Sequence, residues 1–286
     1  LMRPILRKLN FFILLTACAV GPAWGEVPDA LMKVIDARSA EDRARDGDRH
    51  PAETLDFFKL EPGMTVAEAL PGGGWYTRIL APYLGGDGAL YGVSYADRMW
   101  PMFSFADEEW VASRIEETGK FPERVAEFTD NGIRASGFSF ESVPPKAVGT
   151  VDRVLMIRAL HNLNRFEQEA GTRTRALKSV RSLLKDDGLV GVVQHRAPES
   201  ADDAWADGSK GYLKQSAVIA MFEEAGFQLV ARSEINANSM DKPGPEDMVW
   251  RLPPSLRTSG DNPELRAAME AIGESDRMTL LFRKSR

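Results

Sequence analysis

Four residues, Pro71-Gly72-Gly73-Gly74, stand between a short apolar run at 64–70 and a helix-forming stretch at 75–84. A second glycine cluster, Gly85-Gly86-Asp87-Gly88, ends that stretch, and another short apolar run follows at 89–93. Strand, glycine turn, helix and strand within about thirty residues is the size of a βαβ unit. Such a unit sets the two strands parallel and commits the chain to a sheet covered by helices.

The rest of the chain keeps that rhythm. Residues 151–157, 189–194, 227–234 and 278–283 read as strands, and 167–184 and 216–225 as helices. Lys185-Asp186-Asp187-Gly188 reads as a turn. Residues 96–128 form a long, aromatic-rich, helical insertion, with Trp100, Phe103, Phe105 and Trp110 as its packing residues. Residues 26–60 read as a helical cap, with helices at 29–38 and 51–58 and a charged link, 41–49, between them. Nothing resembles a linker, so residues 26–286 are expected to form one α/β domain.

Residues 1–25 carry Arg3, Arg7 and Lys8 and no acid, then an apolar run at 11–21, then Ala23-Trp24-Gly25. This is the anatomy of a secretory signal peptide, and it implies an exported, periplasmic protein. A cut after Gly25 frees a soluble chain. Leu15-Thr16-Ala17-Cys18 also resembles a lipobox, in which a lipidated Cys18 ties the protein to a membrane. The chain has one cysteine, so either route leaves the folded body without a disulfide or a thiol nucleophile. With 36 basic against 42 acidic residues there is no basic stripe to suggest nucleic acid, and a small-molecule substrate is expected. No Gly-x-Ser-x-Gly elbow is present.

The glycine turn itself has the form of a ligand site. Glycines let a ligand approach the backbone, and the following helix N-terminus favours polar or anionic groups. Glu68 ends the first strand beside it. The three histidines add a second signal. His161 falls just beyond strand 151–157 and His195 just beyond strand 189–194, so the two are expected at one rim of the sheet with Glu68. His50, in the cap, is expected to fold over the same crevice. A neutral histidine beside a carboxylate suits a general base, and two histidines with a carboxylate also suit a zinc or iron centre.

With Glu68-x-x-x-Gly72-x-Gly74 at the end of strand one, and the βα rhythm closed by a final strand, the chain resembles the class I S-adenosylmethionine-dependent methyltransferases. More narrowly, it resembles exported bacterial proteins described as predicted methyltransferases. That likeness is carried by Arg49-His50-Pro51-Ala52-Glu53-Thr54-Leu55, the stretch 71–77, His161-Asn162, His195-Arg196-Ala197, the stretch 233–238 and the stretch 273–278. The resemblance implies a Rossmann-like methyltransferase fold with seven strands, mainly parallel, the last inserted antiparallel, and helices on both faces. It implies S-adenosylmethionine as cofactor, held by Glu68, Pro71, Gly72, Gly73, Gly74, Tyr76, Ser94 and Asn162, with His161, His195 and His50 as catalytic groups. Two positions depart from the pattern: Leu70 stands where its first glycine belongs, and Ser94 where an acid usually ends the second strand. Asp97 is the nearest replacement for that acid. These departures support an alternative, an envelope protein that reuses the crevice as a metal-dependent enzyme or small-ligand binder, and a third class, a purely structural protein.

Overall fold

A computed structural model describes residues 27–285. The expected signal peptide, the expected cut after Gly25 and Cys18 lie outside the described residues. Eight strands follow one another as β1 (Thr65–Ala69), β2 (Ala89–Ser94), β3 (Arg134–Ser139), β4 (Val151–Ile157), β5 (Leu184–Ala197), β6 (Leu213–Lys214), β7 (Phe227–Ser233) and β8 (Arg277–Lys284). Seven of them line up in the order β3-β2-β1-β4-β5-β8-β7, and the two-residue β6 pairs with the end of β5. Every pairing is parallel except those of β8, which runs antiparallel to both β5 and β7. This is the Rossmann-like methyltransferase fold, with the antiparallel insertion the resemblance implies.

The strand order reverses at β1 and β4, where chain crossovers leave to opposite sides. In an open α/β sheet that switch point, beyond the carboxyl ends of the strands, is where ligands bind. Both faces are covered, as a buried parallel sheet requires. On one face Val66, Leu90, Leu155 and Val193 pack against helices Asp29–Asp36, Pro51–Phe57, Thr77–Leu84 and Phe121–Phe128. On the other, Ala67, Val93, Val154 and Val192 pack against helices Thr172–Leu183 and Gln215–Glu224. Among the described residues no helix is long and apolar enough to cross a membrane.

The N-terminal cap is part of this packing. The Phe58 ring lies so close over β5 that a Cβ on Gly191 would stand 2.5 Å from it. The buried Asn236 amide donates to Thr54 of the cap at 2.9 Å and to Thr279 of β8 at 3.0 Å, tying cap to sheet. Asn236 and Asn238, in the polar loop after β7, thus act as struts. Asn238 holds the backbone carbonyls of Ile272 and Glu274, each at 2.7 Å.

Three sequence expectations are revised. The helix expected over 167–184 breaks at Gly171, whose left-handed backbone (φ 59°) separates Glu167–Ala170 from Thr172–Leu183. The expected turn at 185–188 is absorbed into β5 as a register shift against β4. The charged link at 41–49 forms two short helices, Ala40–Arg43 and Asp46–Arg49, the second of which buries Arg49.

Candidate functional site

Beyond β1 and β2 lies a crevice of about 70 Å³, lined by Leu70, Pro71, Gly72, Ser94, Trp100 and Glu117 among others. Its floor is the turn after β1, where Leu70, Gly72 and Gly74 have φ of 56°, 55° and 81°. A leucine in the left-handed region costs about 1–2 kcal/mol relative to an ordinary backbone. Leu70 nevertheless keeps the conformation its position in the pattern needs. The Leu70 amide donates to Val93 O at 2.8 Å, which pins the turn to β2. The cover is helix Glu108–Gly119, which has no fully buried residue, and the start of helix Phe121–Phe128. Arg124 Nη1 donates to the Gly72 carbonyl and closes the cover onto the loop.

Ser94 lines the crevice at the end of β2. The carboxylate supplied there comes from Glu117, bonded to Arg114 at 2.6 Å, and not from Asp97, which is exposed and outside the lining. The covering helix lies in the aromatic-rich insertion that follows β2, and no motif spacing flagged Glu117 within it. Two buried donors at the crevice lack partners among the described residues: Trp100 Nε1 and Arg114 Nε. The buried Asn162 Oδ1 also lacks one. Asn162 is held through a side-chain hydrogen bond to Tyr95, whose hydroxyl donates to Ala159 O at 3.0 Å.

Glu68, Gly73, Gly74, Tyr76 and Asn162 are not among the lining residues. Glu68 pairs with Leu155 of β4, which pairs with Gly191 of β5. His195 is four residues further along β5, about 13 Å at 3.3 Å per residue. Glu68 therefore sits in the sheet below the rim, 5% exposed, and accepts a 2.7 Å bond from Thr77 Oγ1. Burial pushes its pKa up to about 7 against the opposing Thr77 bond and Arg124 charge. Gly74 serves packing: a Cβ there would stand 2.7 Å from the Phe128 ring. Gly74→Ala is expected to destabilise the protein by about 1–3 kcal/mol in denaturant titration, from that clash and the positive φ.

The two rim histidines do meet. Their rings lie 5.6 Å apart, with His161 at the start of helix Leu160–Arg165 and His195 near the end of β5. His161 Nδ1 contacts Gln194 Oε1 at 3.4 Å, and His195 Nδ1 contacts Ser275 Oγ at 2.6 Å. No described residue bonds Nε2 of either ring. Burial pushes the pKa of His161 down to about 4 and that of His195 well below its ordinary value. Both rings are neutral at pH 7.

Arginines rather than carboxylates surround this pair. Arg277 is the direct cross-strand neighbour of His195. Arg158, immediately after β4, acts electrostatically on both histidines. The cap contributes Arg49, whose guanidinium lies 4.6 Å over the Trp75 ring. His50 beside it, in a left-handed backbone conformation, makes no hydrogen bond, ion pair or ring contact with His161 or His195. The cap reaches the rim through Arg49. Tyr76, 6% exposed, feels Arg277, Arg49 and Arg158, so it joins the glycine loop to this cluster. Among the described residues no group of three or more His, Cys, Asp or Glu stands close enough to hold a metal ion.

No protein-family model and no curated protein sequence matches the chain. Among solved structures, the chain is similar to the [4+2]-cyclase SpnF at 14% identity over 83% of this chain and 80% of that one, with a TM-score of 0.50. A SAM-dependent methyltransferase from Aquifex aeolicus is similar at 17% identity over 72% and 93%, TM-score 0.45. A third, from Burkholderia thailandensis, is 1,6-didemethyltoxoflavin-N1-methyltransferase with 1,6-didemethyltoxoflavin and S-adenosylhomocysteine bound, at 13% identity over 90% and 79%, TM-score 0.42. These likenesses concern the fold.

Proposed function

We propose that the chain is an exported S-adenosylmethionine-dependent methyltransferase acting on a small acceptor. The fold alone does not select this reaction, because one structure it resembles is a cyclase. The observation that carries the reading is the turn after β1, where Leu70 holds a left-handed conformation that glycine would adopt without strain. Strain of this kind persists where a site depends on it.

The residues present fit the cofactor. Glu117 offers the carboxylate that accepts hydroxyl donors, Trp100 Nε1 and Arg114 Nε are unmet donors, and Gly72 has open space beside its Cα. When bound, S-adenosylmethionine supplies an electrophilic methyl group. At about 70 Å³ the crevice is smaller than the several hundred Å³ typical of ligand pockets, so the cover must lift for entry. Helix Glu108–Gly119, with no fully buried residue, is weakly anchored and free for that movement. His161 and His195, neutral and each with Nε2 unbonded, are the groups able to accept a hydrogen bond from the acceptor and orient it.

Trp100 gives the test. Titration with S-adenosylhomocysteine should change tryptophan fluorescence saturably, and Trp100→Phe should remove most of that change. A folded protein whose fluorescence does not respond, and which shows no binding by dialysis, overturns the assignment.

A further inference from the structure

Three guanidiniums at the rim share one carboxylate, and a fourth lies within its electrostatic reach. Arg45 donates to Glu274 at 2.7 and 2.9 Å, Arg49 at 3.0 and 3.1 Å, and Arg277 at 2.9 Å. Arg158 is the fourth. It acts on Glu274 electrostatically, yet makes no side-chain hydrogen bond or ion pair with any described residue. Its backbone is left-handed (φ 57°), and its amide donates to Val193 O at 2.7 Å, so the strained residue is pinned between β4 and β5. A second donor is also unmet: Arg277 is 3% exposed and its Nε has no partner. Half-buried cations in excess, with unused donors, are costly unless an anion completes them. A planar guanidinium matches a carboxylate or phosphate by two parallel hydrogen bonds.

We propose that Arg158, with the unmet Arg277 Nε of the same cluster, binds the anionic group of the methyl acceptor, a carboxylate or a phosphate, and holds that acceptor against His161 and His195. This rests on the methyltransferase reading, since β4 and the crevice strand β1 are neighbours in the sheet. Tyr76, two residues beyond Gly74, spans the gap between the glycine loop and the arginines. A metal ion is the wrong partner for this nook, because the charges facing both histidines are positive. Burial also pulls the Arg158 pKa down to about 9, which an anion would reverse.

The probes are inorganic phosphate and malonate, each titrated into the protein spanning residues 26–286 at constant ionic strength against sodium chloride, with melting temperature as readout. One of them should stabilise the wild type saturably, and which one does so separates phosphate from carboxylate. Arg158→Gln should weaken that anion at least tenfold and melt higher than the wild type without anion, because a repelled cation is gone. No effect of either anion beyond sodium chloride, or an anion affinity unchanged in Arg158→Gln, overturns the proposal. Binding of S-adenosylhomocysteine to the same variant keeps the two readings apart. Arg158 is outside the crevice lining, so that binding should persist, and its absence from wild type and variant alike would count against the cofactor and not the anion site.

Discussion

Glu274→Ala is expected to cost about 3–5 kcal/mol of stability, the range for removing one partner from a buried ion pair, and to yield little folded protein. Glu274 is 4% exposed and takes hydrogen bonds from Arg45, Arg49 and Arg277. Burial alone would raise its pKa, but these guanidiniums and Arg158 outweigh it and hold the carboxylate below its usual range. Its stabilising effect is therefore present above the unfolded pKa and lost as pH falls through the folded one. Truncation leaves several cations facing one another in low dielectric. Urea titrations of Glu274→Ala and of Glu274→Ala/Arg158→Gln measure this. The double variant should recover part of the loss, and equal stability of the two would show that Arg158 does not belong to the cluster.

Glu68→Gln should have the opposite sign. The folded pKa of Glu68, about 7, lies above its ordinary 4.5, so the folded state binds the proton more tightly. Stability from this group is full below pH 4.5 and lost as pH rises through 7, by about 3 kcal/mol at 1.36 kcal/mol per unit. The variant should thus match wild type near pH 4 and exceed it by up to about 3 kcal/mol at pH 8, less any weakening of the Thr77 bond. His161 behaves oppositely. Its folded pKa, about 4, is below its ordinary 6.5, so its contribution is full above 6.5 and lost as pH falls toward 4. In wild type the Glu68 slope opposes that of His161, to which His195 and Glu274 add in the same direction. In Glu68→Gln the opposing slope is gone, and stability should fall more steeply from pH 7 to 4 than in wild type. A variant with the pH profile of wild type would mean that Glu68 is not buried as a carboxylate.

The parts of the fold legible in the sequence are those where local signals and burial agree. Strand 151–157 coincides with β4 to the residue, and the glycine clusters bracket helix Thr77–Leu84. Strand β3, Arg-Ala-Ser-Gly-Phe-Ser, was not legible, because an edge strand only partly buried needs no apolar run. The site was half legible. Strand ends predict that His161 and His195 meet, since pairing register is local information. Glu68 was misplaced because it pairs with Leu155 and through it with Gly191, four residues short of His195, a register that strand order does not reveal. The arginines of 41–49 read only as part of a charged link between two helices. Their burial depends on Glu274, more than two hundred residues away, and no local pattern reports such a partner. Glu117 was missed for the same reason.

The central claim, that the crevice beside the left-handed Leu70 turn binds S-adenosylmethionine, is tested most directly by calorimetric titration of the protein spanning residues 26–286. The ligands are S-adenosylmethionine and S-adenosylhomocysteine, and the comparison is Gly72→Val. A Cβ at Gly72 would have no atom but the Leu70 carbonyl oxygen within 4 Å, so the substitution fills ligand space, at the cost of strain at φ 55°, without striking the core. The account predicts one site per chain for wild type and binding at least tenfold weaker in a folded Gly72→Val. No heat of binding from a folded wild type, or equal affinity in the variant, would contradict it.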